Sequence, residues 1–362
     1  MFNFIAQEYV STFTFLNLFN YISFRSGAAI LTSLFFSLIF GDIIIKSLSS
    51  FQPFGQPIRT EGPSNHIIKK AGTPTMGGIL ILSSIAISFF LWTDLTNKFV
   101  WICFFSCIIF GTIGLVDDFK KIRSKSSKGI NASTRIILQI LFSFIIIYFT
   151  HHSLPEHINS TINFPFFKNM IIDFGIFYFI VGIFIIVGSA NSVNLTDGLD
   201  GLAIVPVMIV AMSFAFIAYV VGNTIFSDYL QISYIEGSGE LVVFCGAIIG
   251  SALGFLWFNA PPAKVFMGDT GSLALGGTLG SIAIIVKHEI VLAIIGGLFV
   301  FETFSVIVQV ISFKLTGKRV FQMAPIHHHF EKKGWAESTI VIRFWIITIV
   351  LALIGLATLK IR

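Results

Sequence analysis

Charge is scarce in this 362-residue chain: Asp, Glu, Lys and Arg make up 11% of it, against about 25% in an average soluble domain. A folded surface cannot be wetted by so few ions, which excludes a soluble globular protein. Cysteine is almost missing as well, at three residues. Cys103, Cys107 and Cys245 all fall inside apolar runs, which excludes a disulfide framework. Cys103 and Cys107 share a helix face, but no His or acid stands near them in sequence for a metal, so they read as packing residues. The first eight residues, Met1 to Glu8, carry no basic stretch; a cleaved signal peptide is not expected and the first apolar span is expected to be retained. Internal repeats and low-complexity tracts are also lacking, as is the Gly-x4-Gly-Lys pattern of a nucleotide-binding loop.

What is present is apolar bulk, 55% of the chain, with 42 Phe. A helix needs roughly 20 apolar residues to cross a hydrocarbon core of about 30 Å, and in lipid a helix satisfies its own backbone groups. Ten such spans are expected, over about 22–45, 73–93, 99–116, 133–150, 171–190, 201–221, 240–259, 270–286, 289–311 and 339–359. The fold class is therefore an all-α integral membrane protein, one polytopic domain over 1–362.

Five polar clusters interrupt these spans, after the first, third, fifth, seventh and ninth. An odd count returns the chain to one side of the bilayer, so residues more than 250 positions apart can meet at one face. Lys and Arg mark the cytoplasmic side. Seventeen of the 23 basic residues fall in the loops after odd-numbered spans; the rest are Arg25, Lys98, Lys168, Lys287, Lys360 and Arg362. The polar clusters are thus expected at the cytoplasmic face and both termini outside. The net charge of +5 is then a matter of topology, anionic headgroups and phosphorylated substrates, not of nucleic acid.

Each cluster has a chemical and a bland reading. Asp117-Asp118, at the end of the third span and beside water, could hold Mg²⁺ or take a proton, or could merely balance the basic run from Lys120 to Arg135. Asn191 to Gly201 is acidic where a topogenic loop would be basic. On one helical turn its Asp197 and Asp200 would share a face, while a plain turn would need fewer such residues. In Asn259 to Ser272, Asp269 precedes the eighth span, where Thr270 or Ser272 could cap the helix and leave amides free for phosphate; a simple turn accounts for the Gly and Pro only. His327, His328 and His329 cannot all point one way, so phosphate contact or proton handling suits them better than zinc. Lys69-Lys70 precede Gly72-Thr-Pro-Thr75, with Pro74 placed for the first turn of the second span; Lys at a helix N-terminus suits a bound anion or is only a topology signal. Glu302 lies inside the ninth span, which the Gly296-Gly297 pair could bend, and is either hydrogen-bonded in the interior or functional.

Lys70 with Gly72 to Gly78, Val116-Asp-Asp118, Asn194-Leu-Thr-Asp-Gly-Leu-Asp-Gly201, Asn259 with Val265 to Ser272, and Met323 to His329 together resemble the polyprenyl-phosphate N-acetylhexosamine-1-phosphate transferase family, over essentially the whole chain. The His triplet points to the members that transfer phospho-N-acetylmuramoyl-pentapeptide. The resemblance implies a bacterial inner-membrane enzyme that uses Mg²⁺. Its substrates would be UDP-N-acetylmuramoyl-pentapeptide and undecaprenyl phosphate, and its products lipid I and UMP, in peptidoglycan synthesis. It further implies Mg²⁺ on Asp269 and the acceptor phosphate at Asp117, supported by Asp118. It implies a uridine pocket shaped by Asn194, Asp197, Gly198, Leu199, Asp200, Asn259 and Phe266, and Lys70 with His327 to His329 on the phosphates or the sugar. Direct attack of the acceptor is the expected route. A relative using another UDP-sugar is the competing reading. A transporter would need charge along a mid-membrane path, and a non-catalytic lipid scaffold would not need the acids. An apolar face leaves room for a homodimer.

Overall fold

The computed structural model describes residues 1–53, 55–56, 72–126, 128–167 and 170–361. Its helices are α1 (Phe2–Tyr9), α2 (Ile22–Phe51), α3 (Gly78–Trp92), α4 (Lys98–Ser124), α5 (Ala132–Ser153), α6 (Tyr178–Thr196), α7 (Ile204–Val221), α8 (Thr224–Leu230), α9 (Leu241–Asn259), α10 (Gly268–Ile285), α11 (Glu289–Ile295), α12 (Gly297–Thr316), α13 (Ile326–Lys332) and α14 (Glu337–Ile361). Among the described residues eight helices are long and apolar enough to cross a membrane. The second and eighth expected spans are the exceptions: α3 is short, at 15 residues, and α10 is rich in Gly, Ser and Thr.

Several expected boundaries shift for local reasons. The third span continues unbroken to Ser124, so Asp117 and Asp118 lie inside α4. The fifth does not begin at 171: Ile171–Asp173 pairs antiparallel with Thr161–Asn163 in a two-stranded ribbon, and the helix starts at Tyr178. Pro74 lies before α3, in non-helical chain, and its carbonyl accepts from the Phe266 amide at 2.9 Å. The ninth span is broken at Gly296 into α11 and α12.

The core is built around α10, which is buried from Thr270 to Ile285 and sheathed chiefly by α4 and α6, with α3 and α7 beside it. Small residues let backbones approach closely where lipid offers no hydrophobic drive between helices. At Gly114 of α4 an added Cβ would meet the carbonyl of Asp269 and stand 2.6 Å from the Thr270 nitrogen. A second pair, α2 and α9, packs by the same means.

Buried ion pairs lock the end of the bundle away from the carboxylates of α4. Arg25 Nη2 donates to Glu240 Oε2 at 2.9 Å, and the Asp94 amide to Glu240 Oε1 at 2.6 Å. Lys287 Nζ lies 3.2 Å from Glu289 Oε1, which also accepts from the Tyr178 hydroxyl at 2.6 Å. Both termini lie at this end: Met1 N donates to Phe90 O at the close of α3, and Lys360 Nζ to Tyr229 O beside α8.

Candidate active site

At the other end, α4 and α10 bring three carboxylates together. Ligand oxygens of Asp117, Asp118 and Asp269 lie within 4.8 Å of one another. Adjacent in sequence, Asp117 and Asp118 look toward different partners because a helix turns about 100° per residue. Both are buried, at 2% and 1% exposure, although a position at a span end had suggested water. The continuation of α4 and the close approach of α10 remove that water.

Asp118 faces the N-terminus of α10. It accepts from the Asp269 amide at 3.2 Å, the Thr270 amide at 3.0 Å and the Thr270 hydroxyl at 2.8 Å. The first helical turn leaves amides without partners and carries positive dipole charge, and a carboxylate from another helix answers both needs. This corrects the expectation that Thr270 or Ser272 caps α10. The Ser272 hydroxyl instead donates back to Gly268 O at 2.9 Å, and the amides of residues 269 and 270 are committed to Asp118 and unavailable to a phosphate.

Asp117 Oδ1 accepts from the Ile130 amide at 2.6 Å, and Gly129 lies so close that an added Cβ would strike the carboxylate. Its Oδ2 is buried without a hydrogen-bond partner of good geometry, yet Lys121 Nζ is only 2.6 Å away; the short separation makes this an ion pair whatever its angle. Asp269 Oδ1 accepts from Asn194 Nδ2 at 2.7 Å, and the same nitrogen lies 2.8 Å from Ser272 Oγ. Asp269 Oδ2 takes Lys121 Nζ at 2.8 Å and Arg135 Nη1 at 3.2 Å. Three hard oxygens within reach of one point suit a small divalent cation such as Mg²⁺.

In sequence, Lys121 and Arg135 read as two members of the basic run from Lys120 to Arg135. Lys121 was legible: it stands four residues after Asp117 and three after Asp118, the spacings that face each other on a helix. Arg135 offered no such signal, since its contact with Asp269 spans 134 positions.

The remaining residues lie at the ends of α6 and α9 and on the loops that follow them, close in sequence to Asn194 and Asp269. Asp197 ends α6 in a non-helical conformation, so Asp197 and Asp200 do not share a helical turn. Asp200 Oδ2 accepts from the Ala263 amide at 3.0 Å, and its own amide donates to Glu337 Oε1 at 3.0 Å. Asn259 accepts from the Gly201 amide at 3.0 Å and donates to Val265 O at 2.8 Å. These two side chains staple the loop after α6 to the loop after α9. Leu199 is buried in a small apolar cluster with Leu202, Leu298 and Phe344. Phe266 is half-buried on the same loop.

The three histidines occupy α13 and diverge. His327 is fully buried with Nδ1 3.1 Å from the equally buried Glu302 Oε1, and Gly198 is so near that an added Cβ would stand 2.9 Å from its Cε1. The 3.1 Å separation is an ion-pair distance, though its angle makes no hydrogen bond. His328 Nδ1 lies 2.6 Å from Glu331 Oε2, and His329 Nδ1 accepts from the Gln322 amide at 3.2 Å. Lys70 lies outside the described residues.

Residues 100–287 match the glycosyl transferase family 4 model, and residues 70–82 match phospho-N-acetylmuramoyl-pentapeptide-transferase signature 1. The chain is 59% identical over 358 residues to the phospho-N-acetylmuramoyl-pentapeptide-transferase of Pelagibacter ubique (strain HTCC1062), covering 99% of each chain. It is 55% identical over 355 residues to that of Maricaulis maris (strain MCS10), covering 97% of each.

Proposed function

The chain belongs to the phospho-N-acetylmuramoyl-pentapeptide-transferase family, within glycosyl transferase family 4, and from that premise we propose that it makes lipid I. It transfers phospho-N-acetylmuramoyl-pentapeptide from its UDP donor to undecaprenyl phosphate in the bacterial inner membrane and releases UMP. A phosphate oxygen of the lipid forms a bond to the phosphorus that carries the sugar. The bridging P–O bond to the uridine side breaks, and its electron pair leaves with UMP. Both reactants are anionic, so positioning and charge neutralisation dominate the rate. The observation that carries the reading is the Asp117–Asp118–Asp269 group, which brings three carboxylates and two cations to one end of an otherwise apolar bundle.

Asp117, Asp118 and Asp269 would hold Mg²⁺, with Asp269 the principal ligand. When bound, the ion neutralises the donor pyrophosphate and polarises the phosphorus under attack. Asp117 receives the lipid phosphate and any proton it still carries, held ready by the Ile130 amide. Asp118 fixes α10, and with it Asp269, against α4. Phe266 offers its ring to the uracil, while Asp200 and Asn259 act by tying its loop to the loop that carries Gly198 and Leu199, through Ala263, Val265 and Gly201. Asn194 orients Asp269. Lys70 and the His327–His329 helix meet the phosphates and the sugar. The excess of Lys and Arg on this side supports a cytoplasmic position for it, where the soluble donor arrives, with the termini outside.

UMP release by the purified chain with Mg²⁺, undecaprenyl phosphate and UDP-N-acetylmuramoyl-pentapeptide tests the reading, with UDP-N-acetylglucosamine as the paired donor. Release is expected from the muramoyl donor alone and only with both lipid and Mg²⁺. Release from the second donor instead, or without the metal, would refute it.

A further inference from the structure

The Lys121 ammonium lies 2.6 Å from Asp117 Oδ2, 2.8 Å from Asp269 Oδ2 and 3.8 Å from Asp118 Oδ1. These are the three side chains whose oxygens gather closely enough to hold a metal. A small hard ion draws carboxylate oxygens to about 2.1 Å, so ion and ammonium cannot share the place. Formal charge argues the same way. Three carboxylates with Lys121 and Arg135 carry −3 + 2 = −1; a divalent ion added with both bases in place would make the pocket +1 and repel them.

Lys121 is the partner free to leave. Each carboxylate has a second anchor: Asp117 on the Ile130 amide, Asp118 on Asp269 and Thr270, Asp269 on Asn194. Among the described residues Lys121 has only the carboxylates as side-chain partners, sits on an unbranched stem, and its side chain is 17% exposed where that of Asp117 is 2%.

We propose that Lys121 is a displaceable counter-ion: it fills the metal's place in the empty protein and swings onto the donor phosphates when the metal enters. The proposal rests on the reading that the three carboxylates hold the metal. Metal and donor then bind cooperatively, since the ion frees the amine for phosphate and the phosphate draws it away from the ion. By linkage each tightens the other equally.

Mn²⁺ titration of the full chain in detergent without lipid acceptor, with free Mn²⁺ read by electron paramagnetic resonance, tests this. Lys121→Met should bind Mn²⁺ at least about tenfold more tightly than the unsubstituted chain, a difference of about 1.4 kcal/mol. UDP-N-acetylmuramoyl-pentapeptide, whose pyrophosphate attracts the ion in either protein, should tighten binding to the unsubstituted chain more than to the variant, the excess being a similar factor. Lys121→Arg, which keeps the charge, should bind as weakly as the unsubstituted chain. A further readout needs no variant to fold: Mn²⁺ should raise acetylation of Lys121 by acetic anhydride, measured by peptide mass spectrometry. Equal or weaker Mn²⁺ binding by Lys121→Met, or acetylation that Mn²⁺ does not raise, overturns the proposal. Asp269→Asn separates the two levels. If it leaves Mn²⁺ affinity unchanged in both backgrounds, the metal lies elsewhere and the reading of the site falls, taking the proposal with it.

Discussion

Gly114→Ala is the most searching test of how the site is built, because it adds one methyl group and removes no polar group. Two effects oppose. Ala favours a helix interior over Gly by about 1 kcal/mol. Against that, the new Cβ would stand 2.6 Å from the Thr270 nitrogen and closer still to the Asp269 carbonyl, where ordinary contact begins at 3.4 Å. The obstacle is backbone, not a flexible side-chain end, so α4 and α10 must part by at least 0.8 Å (3.4 less 2.6). Overpacking of this kind costs about 1–3 kcal/mol, leaving a net loss of roughly 0–2 kcal/mol after the helix gain. The functional penalty is larger, since the parting carries Asp269 away from Asp117 and Asp118, and a shift near 1 Å costs on the order of 10²-fold in rate. Gly188→Ala in α6, where an added Cβ meets nothing within 4 Å, is the control and should melt no lower than the unsubstituted chain. UMP release and thermal unfolding in detergent would be measured on all three proteins. Turnover of Gly114→Ala within a factor of about three of the unsubstituted chain would refute the close α4–α10 approach as the feature that sets the carboxylate geometry.

Two further outcomes are expected. Asp118→Asn keeps one acceptor oxygen for three donors, so at least one bond to a charged acceptor is lost, roughly 1.5–3 kcal/mol; relief of repulsion returns only part, because Lys121 and Arg135 already offset two of the three negative charges. Its melting temperature should fall together with turnover, whereas lost turnover at unchanged melting would refute Asp118 as the cap that fixes α10. His329 should titrate below its usual 6.5, because partial burial disfavours the charged ring and Lys333 adds repulsion. Its neutral Nδ1 accepts from Gln322, so that support is complete above pH 6.5 and is lost as pH falls through the lowered value. Histidine-selective NMR would show this, and titration at or above 6.5 would contradict it.

Much of the architecture was legible because membrane insertion is a local property: a run of apolar residues declares a span wherever it occurs. The return of the polar clusters to one face followed from counting those runs. What escaped was tertiary. The burial of Asp117 and Asp118 depends on α10 lying against α4, and nothing near residue 117 announces it. The capping of α10 by Asp118 joins positions 151 apart, so residues local to the helix start were the natural and mistaken candidates. Asn259 and Asp200 carried the composition of a ligand site, and the structure uses their polar atoms to brace loops. The ribbon at Thr161–Asn163 and Ile171–Asp173 replaced the first turn of an expected span because three strand residues are too few to show a period.

The sheathing of α10 bears on how the protein is made. The first eleven residues of this helix, Gly268-Asp-Thr-Gly-Ser-Leu-Ala-Leu-Gly-Gly-Thr, are poor in the side-chain hydrophobicity that draws a nascent segment from the insertion channel into lipid, and its most apolar stretch, Ile282-Ala-Ile-Ile, lies at the far end. Its stability as a membrane element comes from α4 and α6, both synthesised earlier, which offer it a fitted surface. The half of the helix that carries Asp269 therefore owes its place in the bilayer to the surface α4 and α6 present, and a change that displaces either would loosen the reaction centre from a distance.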